Sequence, residues 1–292
     1  HVALGGRHCL ALPAVLVEQN APRAAEERLL CEEPLEIRLS EEPWLVTMRT
    51  PGHDRQLALG TLFSEGVISR LDDVGGVRHC GRPDEEGYGN VIDVQPGPGT
   101  GFDPEVVDRA SRSSAVTASC GVCGRRSIAD LLDRFEPLPP GPALDPDLLR
   151  GLPGKFDDAQ ELFGSTGGAH AALAMSAKGE LLAAAEDVGR HNAVDKVVGE
   201  LLLRGMLPRH RPTEEVAWLA VSGRCGFEIV QKAAAAGFRA LVGISATTTL
   251  AVQLAERYGM ALAAFARGER FTIYAHAERF GFPSLCPDGL PG

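Results

Sequence analysis

VAWLAVSGRCGFEIVQKAAAAGFRALVGISATTTLAVQLAERYGMALAAFA, residues 216–266, is three apolar runs separated by two helical patterns. Val216–Val221, Ala240–Ile244 and Ala261–Ala266 are short and uninterruptedly apolar, the pattern of strands buried on both faces. Phe227–Ala236 and Thr248–Tyr258 have helical spacing, and Gly237 and Gly259 stand where helices stop. Strands alternating with helices of about ten residues predict a parallel or mixed sheet covered on both faces. Upstream, Ala169–Met175 reads as another strand. Asn192–Arg204 reads as an amphipathic helix with Val194, Val197, Val198, Leu201 and Leu202 on one face.

The N-terminal half has a different texture. Leu35–Leu39 alternates apolar and charged residues, the period of a half-buried strand. Trp44–Arg49 is its hairpin partner across Ser40–Pro43. Leu57–Phe63 carries a helical apolar face with Gly66 as its stop. Residues 72–112 read as short strands and turns, Val91–Val94 the clearest. Residues 1–30 read as a loose polar arm, and the Pro/Gly-rich 136–154 as a surface connection. The boundary between the halves is expected near 110–115, giving a smaller N-terminal α+β domain over 25–112 and an α/β domain over 113–280.

Composition narrows the function. The 292 residues carry 29 Lys and Arg against 39 Asp and Glu, a net charge of −10. An acidic chain is a poor general binder of phosphate backbones, so nucleic acid is not an expected partner. No apolar run is long enough to span a membrane. Residues 1–20 lack a basic segment leading into an apolar stretch, so no signal peptide is expected. The seven cysteines are odd in number, and only Cys120 and Cys123 lie close together, which points to a reducing compartment.

Those two cysteines sit in Thr117-Ala118-Ser119-Cys120-Gly121-Val122-Cys123-Gly124-Arg125-Arg126, ahead of Ile128, Leu131, Leu132 and Phe135 at helical spacing. A glycine-flanked turn entering a helix, with two arginines alongside, favours an accessible thiolate. This suits a nucleophilic or sulfur-carrying cysteine. Half of a zinc site, completed by Cys80, Cys225 or a histidine, is the structural alternative, and a thioredoxin-like redox pair is another. A zinc deaminase would need His-x-Glu upstream and Pro-Cys-x-x-Cys. No His-x-Glu precedes the pair, and position 119 is Ser. No intrinsic metal is therefore expected.

Two strand-to-helix junctions, Ser222-Gly223-Arg224-Cys225-Gly226 and Ser245-Ala246-Thr247-Thr248-Thr249, have the small and hydroxyl residues that let backbone N–H groups approach a phosphate. Ser and Thr are also ordinary helix caps. The third strand runs out into Phe265-Ala266-Arg267-Gly268-Glu269-Arg270, where Arg267 and Arg270 offer planar donors and Gly268 permits close approach. All six residues are candidates for binding a nucleotide-type ligand. Glu186-Asp187-Val188-Gly189-Arg190-His191-Asn192-Ala193-Val194-Asp195-Lys196 crowds six ionisable groups at a helix start. Asn192 and Asp195 could cap the helix, or Arg190 and His191 could face a ligand. His170, after Gly167-Gly168-Ala169, is a further candidate.

Together these segments resemble the FdhD family of formate dehydrogenase accessory sulfurtransferases. The resemblance rests on the CxxC context and the Glu186–Lys196 block. Thr47-Met48-Arg49-Thr50-Pro51-Gly52, Ser64-Glu65-Gly66, Thr166–Ala171, Ser222-Gly223-Arg224 and Arg267–Arg270 support it. It implies a cytidine-deaminase-like α/β domain with a mixed sheet and helices on both faces, a smaller N-terminal domain, a homodimer and a cytoplasmic location. It implies Cys120 and Cys123 as catalytic thiols. Persulfide sulfur would come from a cysteine desulfurase and go to bis-molybdopterin guanine dinucleotide before that cofactor enters the formate dehydrogenase apoenzyme. A CxxC thiol-disulfide oxidoreductase, or a molybdenum-cofactor chaperone without sulfur chemistry, are the alternatives.

Overall fold

The computed structural model describes residues 8–81, 88–118, 135–139, 141, 143–207 and 216–283, without the side chains of 112–118. The expected strand–helix alternation is present. Strands β9 (Trp218–Val221), β10 (Ala240–Gly243) and β11 (Ala261–Arg267) lie parallel side by side. Between them run α7 (Phe227–Ala235) and α8 (Thr249–Arg257). β7 (His170–Met175) pairs antiparallel with β9, β8 (Leu181–Asp187) pairs antiparallel with β7, and β12 (Arg270–Ala275) closes the far edge against β11. The six-stranded order is β12-β11-β10-β9-β7-β8.

Alternation along the strands splits the interior in two. Ala172, Ala174, Leu219, Val221, Leu241 and Leu262 face a core shared with α6 (Arg190–Leu203), α7 and α8. Ala171, Leu173, Met175, Trp218, Ala220 and Val242 face the other side. There the short helices α3 (Pro146–Arg150) and α4 (Leu152–Ala159) supply Leu149, Leu152 and Phe156. The mixed sheet with helices on both faces is thus as expected. The Pro/Gly-rich connection is partly helical: Asp145 caps α3 by accepting from the Asp147 N–H, with Pro146 at the first turn.

The N-terminal half forms a four-stranded sheet, order β4-β3-β6-β5, from β3 (Glu33–Leu39), β4 (Glu42–Arg49), β5 (Val74–His79) and β6 (Val91–Pro96). Helix α1 (Asp54–Glu65) lies between this sheet and α6, so Leu35, Ile37, Ile92, Leu57, Leu59 and Val194 share one core. The helix pair touches backbone to backbone. A Cβ on Gly60 would lie 1.8 Å from the Asp195 carbonyl oxygen, and one on Gly199 would lie 1.9 Å from that of Gln56. Only glycine allows that approach.

Two expectations fail here. The loose arm is a regular antiparallel hairpin, β1 (Cys9–Glu18) with β2 (Ala21–Leu30). Its residues are mostly exposed, so no buried face imposes apolar alternation on the sequence. Residues read as strands and turns include a helix, α2 (Pro104–Ala118), started by Asp103 accepting the Glu105 N–H. This helix runs straight through 110–115.

Candidate functional site

Topology gathers the chemistry at one end of the large sheet. The carboxyl ends of β8, β9, β10 and β11 and the amino end of β7 all open there, the edge where ligands of α/β sheets bind. The three junctions are stitched together by backbone hydrogen bonds. The Cys225 N–H donates to Ala246 O at 2.9 Å, and the Phe265 N–H to Ser245 O at 3.0 Å. The Arg267 Nε–H reaches Ile244 O at 3.4 Å, and its guanidinium stands 6.0 Å from the Phe265 ring centre. The junctions 222–225, 244–247 and 265–267 thus lie side by side along this edge of the sheet.

The hydroxyls there are already engaged. Ser222 Oγ accepts the Ala171 N–H at 2.9 Å, extending the β7–β9 pairing, and Thr247 Oγ1 donates to Cys225 O at 3.0 Å. Thr248 caps α8 through the Ala251 N–H. Capping and strand pairing thus account for these side chains, and cationic groups are left to meet an anion. Arg224, Arg267 and Arg270 are exposed, Arg190 and His170 half-buried. Arg190 Nε is buried without a hydrogen-bond partner. A Cβ on Gly223 would lie 3.3 Å from His170 Nδ1 and 3.4 Å from Arg190 Cβ, so these groups crowd one spot. Burial pushes the His170 imidazole below its ordinary range, and the positive charges of Arg190, His191 and Arg224 add to that against the opposing pull of Asp187.

Of the six residues at 265–270, Phe265 takes a left-handed backbone, φ 55°, at the bulge between β11 and β12. Ala266 is fully buried in the core on the α3–α4 side, so its side chain cannot touch a ligand. Glu269 is exposed and pairs with Arg150 at 3.2 Å. Arg267 and Arg270 stand opposite each other on the hairpin, with Gly268 in the turn.

The Glu186–Lys196 block divides into a frame and a face. Helix α6 starts at Arg190 with Gly189 as its cap, so neither Asn192 nor Asp195 caps it. Asn192 Nδ2 donates to Met48 O at 2.7 Å and to Asp187 at 3.1 Å. Lys196 is buried against Asp187 at 2.7 Å and donates to Thr50 O at 2.9 Å. Asp195 meets Lys232 at 2.7 Å, with Ser64 and Thr61 hydroxyls beside it; burial pushes its carboxyl up while Lys232 opposes this. Glu186 caps α5 (Glu161–Thr166) through the Leu162 and Phe163 N–H groups. Only Arg190 and His191 are left toward the edge, His191 Nε2 lying 2.7 Å from Glu228.

Cys120 and Cys123, with Arg125, Arg126 and the helix expected after them, lie outside the described residues. Two of the four described cysteines are enclosed. Cys225 is fully buried, and burial pushes its thiol up to about 12. Cys31 is buried too. The His-x-Glu of the chain is His276-Ala277-Glu278, far downstream of the cysteine pair. His276 Nδ1 lies 3.1 Å from Glu278 and Nε2 3.3 Å from Glu256 O. Among the described residues no three His, Cys, Asp or Glu side chains gather as a metal site, and no helix is long and apolar enough to cross a membrane.

A family model, FdhD/NarQ, matches residues 30–281. The chain belongs to the FdhD/NarQ family. Relatives agree along nearly the whole length. A protein of Anaeromyxobacter dehalogenans named sulfur carrier protein FdhD is 52% identical over 259 residues, covering 88% of this chain and 90% of that one. One of the same name from Streptomyces avermitilis is 40% identical over 281 residues, covering 94% and 96%. The fold matches the crystal structure of a candidate formate dehydrogenase accessory protein from Desulfotalea psychrophila, with TM-score 0.71, 23% identity, and coverage of 94% of this chain and 99% of that one. In this FdhD/NarQ chain the family match spans both sheets, and the cationic edge and the frame beneath it both fall inside it.

Proposed function

We propose that this chain is a cytoplasmic sulfurtransferase serving formate dehydrogenase: it accepts persulfide sulfur from a cysteine desulfurase on Cys120 and passes it to bis-molybdopterin guanine dinucleotide before that cofactor enters the apoenzyme. The observation that carries the reading is the cationic sheet edge. His170, Arg190, Arg224 and Arg267 come from four different strand ends to one crevice, and Arg190 Nε is buried without a partner. Such an edge suits the pyrophosphate of a dinucleotide. The names of the curated relatives support the sulfur-carrying half.

The thiol step balances without an added oxidant. The Cys120 thiolate attacks the outer sulfur of the donor persulfide. One S–S bond forms, one breaks, and the donor cysteine leaves as thiolate. The test is mass spectrometry after incubation with a cysteine desulfurase and cysteine. One extra sulfur on the 120–123 peptide supports transfer. An intramolecular disulfide alone indicates a thiol-disulfide oxidoreductase, and an unmodified peptide in a protein that still binds the cofactor indicates a chaperone.

Two expectations concern the crevice. Arg267→Ala and Arg270→Ala should each weaken binding of GDP, a fragment of the cofactor, by about tenfold through loss of a charge-assisted hydrogen bond. Calorimetric titration reads this, and persulfide loading of Cys120 should persist in both. Unchanged GDP affinity in both moves the ligand toward Arg190 and His191. Bound GDP should also reverse the depression of the His170 imidazole. Its phosphates offset the charges of Arg190, His191 and Arg224, so the ring titrates at higher pH with the nucleotide than without it. NMR titration of the His170 ring measures the two values.

A further inference from the structure

At the opposite end of the large sheet lie two arginines, Arg239 and Arg279, to which no acid among the described residues is joined in an ion pair. Arg239 immediately precedes β10 and is pinned on both sides. Its N–H donates to Ala217 O at 3.0 Å, and its carbonyl accepts the Ala261 N–H at 2.9 Å. Its side chain is buried, 8% exposed. Arg279 lies in the 3-10 turn Ala277–Phe280, whose position is fixed by the Leu144 N–H donating to Arg279 O at 2.7 Å. Arg239 Nε and Nη1 and Arg279 Nη1 are all buried without a hydrogen-bond partner. Neither guanidinium has a salt-bridge partner among the described residues. Glu278 is the nearby acid, and its carboxylate is engaged with His276. Burial lowers the Arg279 guanidinium from its ordinary value; the charge of Glu278 opposes this, and the charge of Arg239 adds to it.

Backbone packs closely on both side chains. A Cβ on Gly141 would lie 2.3 Å from Arg239 Cδ and 3.2 Å from Nη1. A Cβ on Gly259 would lie 3.8 Å from Arg279 Nη2. Arg279 is half-buried, so it is the member of the pair reached from the surface.

Two like charges partly out of water, with three orphaned donors, are costly unless an anion joins them. We propose that Arg239 and Arg279 bind a tetrahedral oxyanion of the phosphate class, at a site separate from the cationic edge at the carboxyl ends of the strands. A dianion neutralises both guanidinium groups, where a carboxylate neutralises one. The donors left to hold it are Arg239 Nε and Nη1 and Arg279 Nη1.

The test is thermal unfolding of the full chain with inorganic phosphate, at ionic strength held constant with chloride. The midpoint should rise and saturate, by roughly 5 °C at a hundredfold excess over Kd. Arg239→Met and Arg279→Gln should each abolish the rise. Without phosphate both should unfold at or above the parent's midpoint, because an unpaired buried charge is gone. Arg224→Ala should keep the rise, which separates this site from the cofactor edge. Glycerol 2-phosphate distinguishes the sources: the same rise supports a site open to phosphate esters, and a rise with inorganic phosphate alone supports one for the free ion. No rise beyond chloride overturns the proposal. So does a rise that survives Arg239→Met and Arg279→Gln and vanishes in Arg224→Ala.

Discussion

Cys120→Ala is expected to leave a folded protein that gains no sulfur and no longer supports formate dehydrogenase maturation. The loss should be complete to background, because the variant removes the attacking atom. Cys120 is followed in sequence by Gly121, with Gly124, Arg125 and Arg126 close behind, residue types expected to favour an accessible thiolate. Cys225 cannot substitute. Burial pushes its thiol up to about 12, so it stays protonated at pH 7, and the protein encloses it completely. The readouts are sulfur on the 120–123 peptide, client dehydrogenase activity in cells, and the thermal midpoint of the purified variant. Full client activity with an unchanged midpoint would remove Cys120 as the carrier. Cys123→Ala is expected to impair transfer, since its thiol can relay sulfane sulfur by exchange.

The second large effect is on stability. Asp187→Ala should cost about 3–5 kcal/mol, the usual loss when one partner of a buried ion pair is removed. Asp187 is wholly buried, with Lys196 Nζ at 2.7 Å. Its two oxygens also accept the N–H groups of Thr50 at 3.1 Å and Gly189 at 2.8 Å. Truncation strands the Lys196 ammonium and leaves both backbone donors unpaired. Urea unfolding should show the midpoint falling with the slope unchanged. In the double variant Asp187→Ala/Lys196→Met the loss should be smaller than the sum of the two single losses, because no charge is left without a partner. A loss under about 1 kcal/mol for Asp187→Ala would show that the pair does not hold the frame. Because Gly189 caps the helix that begins with Arg190, GDP affinity should fall in the same variant even where it remains folded.

Much of the large sheet could be read from the chain because its signals are local. Apolar runs at 216–221, 240–244 and 261–266 become buried strands, and Gly237 and Gly259 end the helices between them. β8 and β12 are less legible: the apolar run of β8, Leu181–Ala185, is short and mostly alanine, and β12 mixes polar and apolar residues at half-exposed positions. The β1–β2 hairpin is hard to read because the apolar Cys9–Val17 pairs with a charged strand, and both are mostly exposed. Helix α2 did carry a usable signal. Asp103-Pro104-Glu105 is a cap, a first-turn proline and a first-turn acid, but the serine-rich run after it masks the helical face.

By itself the sequence determined the strand–helix alternation, the family, and the pair of thiols, since each depends on residues adjacent in the chain. Tertiary structure alone decided what the Glu186–Lys196 block does. Asp187 and Lys196 meet the backbone at Thr50, and His191 meets Glu228. No local spacing encodes such meetings, because they are set by how α6 settles between the two sheets. Tertiary structure likewise buried Ala266 and separated two arginine clusters to opposite ends of one sheet. The reason is physical. A strand's direction fixes which end faces a crevice, and its pleat fixes which side chain enters the core, so where a charge ends up depends on which strands become neighbours.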